Sequence, residues 1–192
     1  IYSADMKTLY YCSPSKTGTY VMPDSVPEIA RCGFVNTGLT EITVSPNVTE
    51  IVYGVFMGSK TLQKVDLPDN LQSIGPYAFQ YCTGLKSADI PASLTAIDSL
   101  AYDGCTGLEA VNIEDIAAWS TIRFSGYKAN PLYYARDLYL GGDLVVDLTL
   151  PETGLDRISG YAFYNGSLTS VTIPGNVKSI GGSAFRNSDL TS

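Results

Sequence analysis

Residues 62–84 read LQKVDLPDNLQSIGPYAFQYCTG, and residues 85–107 read LKSADIPASLTAIDSLAYDGCTG. The same grammar returns from Leu168 as LTSVTIPGNVKSIGGSAFRNSD, one residue shorter, and from Leu39 as LTEITVSPNVTEIVYGVFMGSKT. A copy from Val145, VVDLTLPETGLDRISGYAFYNGS, carries one residue inserted after its proline, and a weaker one is visible in VMPDSVPEIARCGF from Val21. Leu39, Leu62, Leu85 and Leu108 stand at intervals of 23. Self-similarity at such a period predicts a repeat solenoid, in which no unit can bury its apolar face without a neighbour.

Each position has a physical task. Val65 and Leu67, or Val171 and Ile173, lie two apart and point to one side of a short strand, toward the core. The following proline stops the strand, since it has no N–H to donate. Leu71 and Ile74, or Val177 and Ile180, carry the chain across the core, and Gly75 and Gly181 suit a tight turn. Ala78-Phe79, Ala162-Phe163 and Ala184-Phe185 set a small residue beside a large one, which lets the aromatics of successive coils stack. Cys82 and Cys105 read as small apolar fillers, expected to be buried free thiols, whereas Cys12 and Cys32 are expected to be bridged in an N-terminal cap.

The pattern IP-x-x-V-x-x-IG-x-x-AF-x-x-C-x-x-L, fullest at Leu67–Leu85 and Ile173–Leu190, resembles the BspA-like class of bacterial leucine-rich repeats, over about Val21 to Ser192. Ser45 for proline, Tyr102 for phenylalanine and Asp98 for glycine are departures in single coils. The resemblance implies a right-handed leucine-rich-repeat coil, with a strand ladder on the concave face and loops and short helical turns on the convex face. It further implies a secreted or surface-attached bacterial protein that adheres to host proteins or neighbouring cells, with no catalytic residues in the repeat. The organisation read from the chain is a cap or partial repeat at 1–20, regular repeats at 21–113, an irregular enlarged repeat at 114–143, and repeats again at 144–192, all one solenoid. Both ends read as cut or processed boundaries, with a new strand starting at Leu190-Thr191-Ser192 and any leader or anchor lying outside.

Composition narrows the function. Nineteen acids against twelve bases give a net charge of −7, which argues against nucleic acid and anionic membranes as partners. With no histidine, a Ser-His-Asp triad, a Cys-His pair and a His-ligated metal are excluded. No apolar run is long enough to span a bilayer. No cofactor and no metal are expected.

Two surfaces are candidates for ligand binding. Strand residues facing away from the core form a column, Thr43, Asp66, Asp89, Asn112, Thr149 and Thr172, flanked by a second, Glu41, Lys64, Ser87, Ala110, Asp147 and Ser170. Their hydroxyl, amide and carboxylate groups suit a glycan or extended peptide on a concave sheet, although neither column contains an aromatic; the bland alternative is a solvated face that keeps the strands soluble. Asp66 and Asp89 also raise a calcium or acid–base pair, without the Asp-Gly spacing of dedicated calcium repeats or a pocket around them. The second candidate is the island IEDIAAWSTIRFSGYKANPLYYARDLYLGGDL (residues 113–144), where IEDIAAW predicts a helical turn and LYLGGDLVV a hairpin around Gly141-Gly142. Trp119, Tyr127, Tyr134 and their neighbours Tyr133 and Tyr139 form an aromatic platform for a sugar or partner side chain, or else Trp119, Leu132 and Tyr133 fill a wider coil. A spacer role, or a carbohydrate-binding accessory region built on the island, are the competing readings.

Overall fold

The computed structural model describes residues 1–191; the strand start read at residues 190–192 ends on Ser192, outside them. The chain winds as a parallel β-solenoid of about eight turns with little helix. Three rails of backbone hydrogen bonds join successive coils. The first is the strand face. Thr17–Val21, Gly38–Thr43 and Lys64–Asp66 form one parallel group; Ser87–Ile90, Ala110–Ile113 and Leu138–Leu140 form another; Asp147–Thr149 and Ser170–Thr172 pair beyond the island. Thr17–Val21 already belongs to this face, so the ladder starts within the segment read as a cap.

A second parallel ladder lies where the sequence predicts only loops and helical turns. Two-residue strands Glu50–Ile51, Ser73–Ile74, Ala96–Ile97 and Arg123–Phe124 pair in order, as do Thr8–Leu9 with Glu28–Ile29 and Arg157–Ile158 with Ser179–Ile180. Each except Ser179–Ile180, whose isoleucine is exposed, holds a core isoleucine or its equivalent, and two residues are too few for alternation to show.

The third rail is the Ala-Phe corner. Phe34 N–H donates to Val55 O, Phe56 to Ala78 O, Phe79 to Ala101 O and Phe163 to Ala184 O, each at 2.8 Å. This register stacks the rings as expected: Phe34–Phe56–Phe79–Tyr102 have centroids 5.5, 5.0 and 4.9 Å apart, and Phe163–Phe185 lie 5.2 Å apart at 5°. The third position after each ring adds a side-chain rail. Ser59 Oγ donates to Phe34 O (2.8 Å), Cys82 Sγ to Phe56 O (3.1 Å), Cys105 Sγ to Phe79 O (3.0 Å) and Ser188 Oγ to Phe163 O (3.0 Å). Cys82 and Cys105 are therefore donors, not mere fillers. Burial pushes the Cys82 thiol up to about 12 and Cys105 well above its usual value, which keeps both protons in place.

One expectation is corrected and another refined. Cys12 and Cys32 are not bridged; all four thiols are free. Cys12 N–H bonds to Gly33 O at 2.6 Å, so Cys12 is level with Gly33, while the Cys32 thiol lies toward Gly54 of the next coil. Gly75 and Gly181 each open a tight turn, their carbonyls accepting from Ala78 N (3.4 Å) and Ala184 N (3.2 Å), without a left-handed conformation of their own. A Cβ on Gly75 would stand 3.0 Å from Ile51 O, and one on Gly181 would stand 2.2 Å from Gly160 N: these glycines let backbones approach. The left-handed residues flank the Ala-Phe pair instead, at Cys32, Gly54, Tyr77, Leu100, Tyr161 and Ser183, and again four residues on at Asn36, Gly58, Tyr81, Gly104, Asn165 and Asn187.

The island folds as read. Helix α1 (Ile116–Thr121) is capped by Asp115, whose carboxylate accepts from Ala118 N at 2.8 Å; α2 (Leu132–Ala135) follows; Leu138–Leu140 and Asp143–Leu144 make the hairpin. The island's interior couples the two halves of the solenoid. Trp119 Nε1 donates to Ala162 O at 3.0 Å, and fully buried Asn130 donates through Nδ2 to Tyr161 O (2.7 Å) and Ala162 O (3.1 Å).

Candidate functional site

The coil period brings the predicted column residues into true cross-strand register. Thr43 faces Asp66, Asp89 faces Asn112, and Thr149 faces Thr172, with Glu41–Lys64, Ser87–Ala110 and Asp147–Ser170 beside them. They do not form one continuous column. The ladder opens between Lys64–Asp66 and Ser87–Ile90, and beyond Asn112 the next residue is Tyr139, not Thr149. Tyr139 stands 27 residues after Asn112 instead of 23, so the period could not reveal it. It puts a half-buried aromatic into a column that the sequence reads as having none.

These side chains bond from rung to rung. Thr43 Oγ1 donates to Asp66 Oδ2 at 3.3 Å, and Lys64 Nζ pairs with Asp66 Oδ1 at 2.7 Å. Asn112 Nδ2 donates to Asp89 Oδ1 at 2.5 Å, while Ser170 and Thr169 both donate to Asp147 Oδ1, holding that carboxyl below its ordinary value. Lys64 rises above its usual value through its bond to Asp66. Such exposed pairs contribute little stability, but they restrict the rotamers of the groups a ligand would meet. At the edge of this face, Thr43, Pro46, Asp66, Leu67, Pro68 and Asn70 line an open cleft of about 510 Å³. Among the described residues no cluster of three or more His, Cys, Asp or Glu is placed to hold a metal.

The island residues divide. Trp119 is 1% exposed beneath Ala162 and is unavailable to a ligand, which corrects its place on the predicted platform. Large apolar rings fill the widest gap in a core first. Tyr127 is 40% exposed and stacks on Tyr164 at 5.5 Å, with Tyr133 at 5.2 Å, and Tyr133 meets Tyr134 edge-on at 4.8 Å. Tyr161 and Tyr164, which the sequence reading left out, belong to the same cluster, their rings 6.0 Å apart; their signal was a tyrosine on each side of Ala162-Phe163. Asp103 anchors the cluster, accepting from Lys128 (2.8 Å), Gln80 (3.3 Å) and Tyr134 (3.3 Å). Burial raises its pKa, but those donors hold it below the ordinary carboxylate range. Tyr139 lies apart, on the strand face.

A stacked parallel ladder with one leucine-led unit per coil and an exposed, mutually bonded polar face defines a leucine-rich-repeat scaffold. The chain belongs to the BspA type leucine rich repeat family, which matches in six copies over residues 5–129 and 143–192. It is similar throughout its length to a leucine-rich repeat protein from Eubacterium ventriosum, at 26% identity and a TM-score of 0.72, and to a leucine rich cell surface protein from Faecalibacterium prausnitzii, at 25% and 0.54. It spans 48% and 53% of those two chains, about half their length. A leucine rich repeat protein of T. pallidum shares the fold over 94% of this chain and 81% of its own, at 22% identity and a TM-score of 0.62. No curated protein matches. Leucine-rich repeats of this type are typically non-enzymatic scaffolds, and among the described residues no helix is long and apolar enough to cross a membrane.

Proposed function

We propose that the chain is a non-enzymatic recognition module of a bacterial surface or secreted protein, binding a host or bacterial surface protein, or a glycan, across the strand face at Thr43, Asp66, Asp89, Asn112 and Tyr139. Thr149 and Thr172 extend the site on the far side of the island. The observation that carries this reading is the rung-to-rung bonding of Thr43–Asp66 and Asn112–Asp89, which presents a row of partly exposed polar groups already fixed in place. Fixed donors and acceptors lose less freedom on binding. The resemblance to a cell surface protein of F. prausnitzii supports the location.

A second reading rests on the tyrosine cluster, because exposed tyrosines are enriched where proteins meet partners. A binding screen against matrix proteins and glycan arrays separates the two. Loss of binding in Asp66→Ala with Asp89→Ala, and retention in Tyr127→Ala with Tyr134→Ala, supports the strand face. The reverse moves the site to the cluster. No binding to any of these ligands by the folded wild-type chain overturns both and leaves a spacer.

A further inference from the structure

Among the described residues the second ladder opens at two seams. At one, the facing strands bring Glu28 and Glu50 together. At the other, between Arg123–Phe124 and Arg157–Ile158, they bring two arginines. This second seam has a clear origin. Arg157 follows Arg123 by 34 residues instead of 23, and the surplus goes into α2 and the hairpin. Arg157–Ile158 therefore pairs only on its far side, with Ser179–Ile180. Helix α1 ties the coils together through Ser159 N–H and Ser120 O at 2.7 Å, and a cavity of about 330 Å³ stays open beside it.

The lining of that cavity is specific. Ile180, 52% exposed, supplies an apolar surface, with Phe124 and Ile158 buried beneath it. The Arg123 guanidinium is held by Asp98 and Ser125, each at 3.1 Å, so its charge is offset. Arg157 has no acidic partner among the described residues. The hydroxyls of Ser159 and Ser179 and the N–H of Gly160 bond to no other group of the described chain. One uncompensated guanidinium, spare donors and a volume at the small end of the roughly 300–1,000 Å³ typical of ligand sites select a compact monoanion with hydroxyls and an apolar face.

We propose that this seam binds a carboxylate-bearing sugar residue of the uronic-acid class, its carboxylate on Arg157, its hydroxyls on Ser159, Gly160 and Ser179, and its C–H face on Ile180. A phosphate dianion or a polyanion fits less well, because the seam's lining holds only one unpaired positive charge and the chain's net charge is −7. The site is separate from the strand face, and its test does not depend on that reading.

The test is a titration of the ¹⁵N-labelled chain with methyl β-D-glucuronide, its neutral counterpart methyl β-D-glucoside, acetate, and a blocked aspartate amide. The glucuronide should saturably shift Ser159, Gly160 and the Arg157 Nε–H. Arg157→Gln should weaken it at least about tenfold, the factor for one lost charge-assisted hydrogen bond. Arg157 is exposed, so this variant keeps the fold, which its spectrum verifies, and Lys60→Gln, which removes an exposed cation on another coil, should bind as the wild type does. Equal binding of the glucoside overturns the role of the carboxylate. Equal binding of acetate or the aspartate amide overturns the sugar. Unchanged affinity in Arg157→Gln, or no saturable shift at all, overturns the site.

Discussion

Replacing Asn130 with alanine should weaken the joint between the two halves of the solenoid more than either half. Its amide makes three bonds from a fully buried position: Nδ2 to Tyr161 O and Ala162 O, and Oδ1 from Leu132 N at 2.9 Å. Tyr161 O keeps a bond from Tyr164 N and Ala162 O keeps Trp119, so the carbonyls are not orphaned; Leu132 N–H is. An orphaned buried donor costs about 1–3 kcal/mol, and each of the other two bonds about 0.5–1.5 kcal/mol, so the whole comes to about 4 kcal/mol. In a stack where coils contact only their neighbours, a loss at one joint uncouples what lies on either side. Urea unfolding followed by Trp119 fluorescence and by circular dichroism should separate into two phases. Amide exchange should quicken from residue 144 onward while the Phe79 and Tyr102 coils keep their protection. A loss under about 1 kcal/mol, or exchange that rises evenly along the chain, refutes the joint. Asn130→Asp should be at least as harmful near pH 7, since it brings a buried charge and donates nothing.

Other perturbations test the remaining rails. Phe79→Ala, which removes a ring stacked on both sides, should cost about 3–5 kcal/mol in urea unfolding. Gly107→Ala would set a Cβ 2.2 Å from Thr83 O and should cost about 1–3 kcal/mol, whereas Gly175→Ala, with nothing within 4 Å, should be near neutral in thermal melts. Cys82→Ser should preserve the bond to Phe56 O and stability at pH 7, because serine already fills this role at Ser59 and Ser188. Cys82 is held protonated up to about 12 in the fold, whereas an exposed thiol ionises near 9. The unfolded chain thus loses its proton first, so stability should fall as pH rises from about 9 toward 12, and Cys82→Ser should flatten that decline. A pH profile that the substitution leaves unchanged contradicts the assignment.

What was legible in the sequence was whatever repeats at 23. The strand columns, the stacked rings and the coil order follow from residues whose spacing is constant, because stacking turns equal spacing into contact. The Trp119 helix and the Gly141-Gly142 hairpin were legible from local chemistry. The second ladder was not, since Ser73–Ile74 or Ala96–Ile97 is too short to show a pattern. The left-handed corners were half visible: Gly54, Gly58, Asn36 and Asn165 advertise them, while Tyr77, Tyr81, Leu100 and Tyr161 adopt the same conformation without any residue-type signal. Tyr139 and the Arg123–Arg157 seam escaped for a shared reason. Both depend on how many residues the island adds between rungs, and that number becomes geometry only when the chain has closed its turn.

The donors from Ser59, Cys82, Cys105 and Ser188 to the preceding Phe carbonyl have a consequence for how such a molecule can grow. Each of these turns offers its successor the same socket, so a duplicate of one at full length would dock beside it without new contacts having to arise. A fractional insertion has no such welcome; it must be folded out of the way, as between Ile113 and Leu144, and it leaves a crevice behind. Length can thus drift in whole turns at little risk, while novelty enters through the misfits.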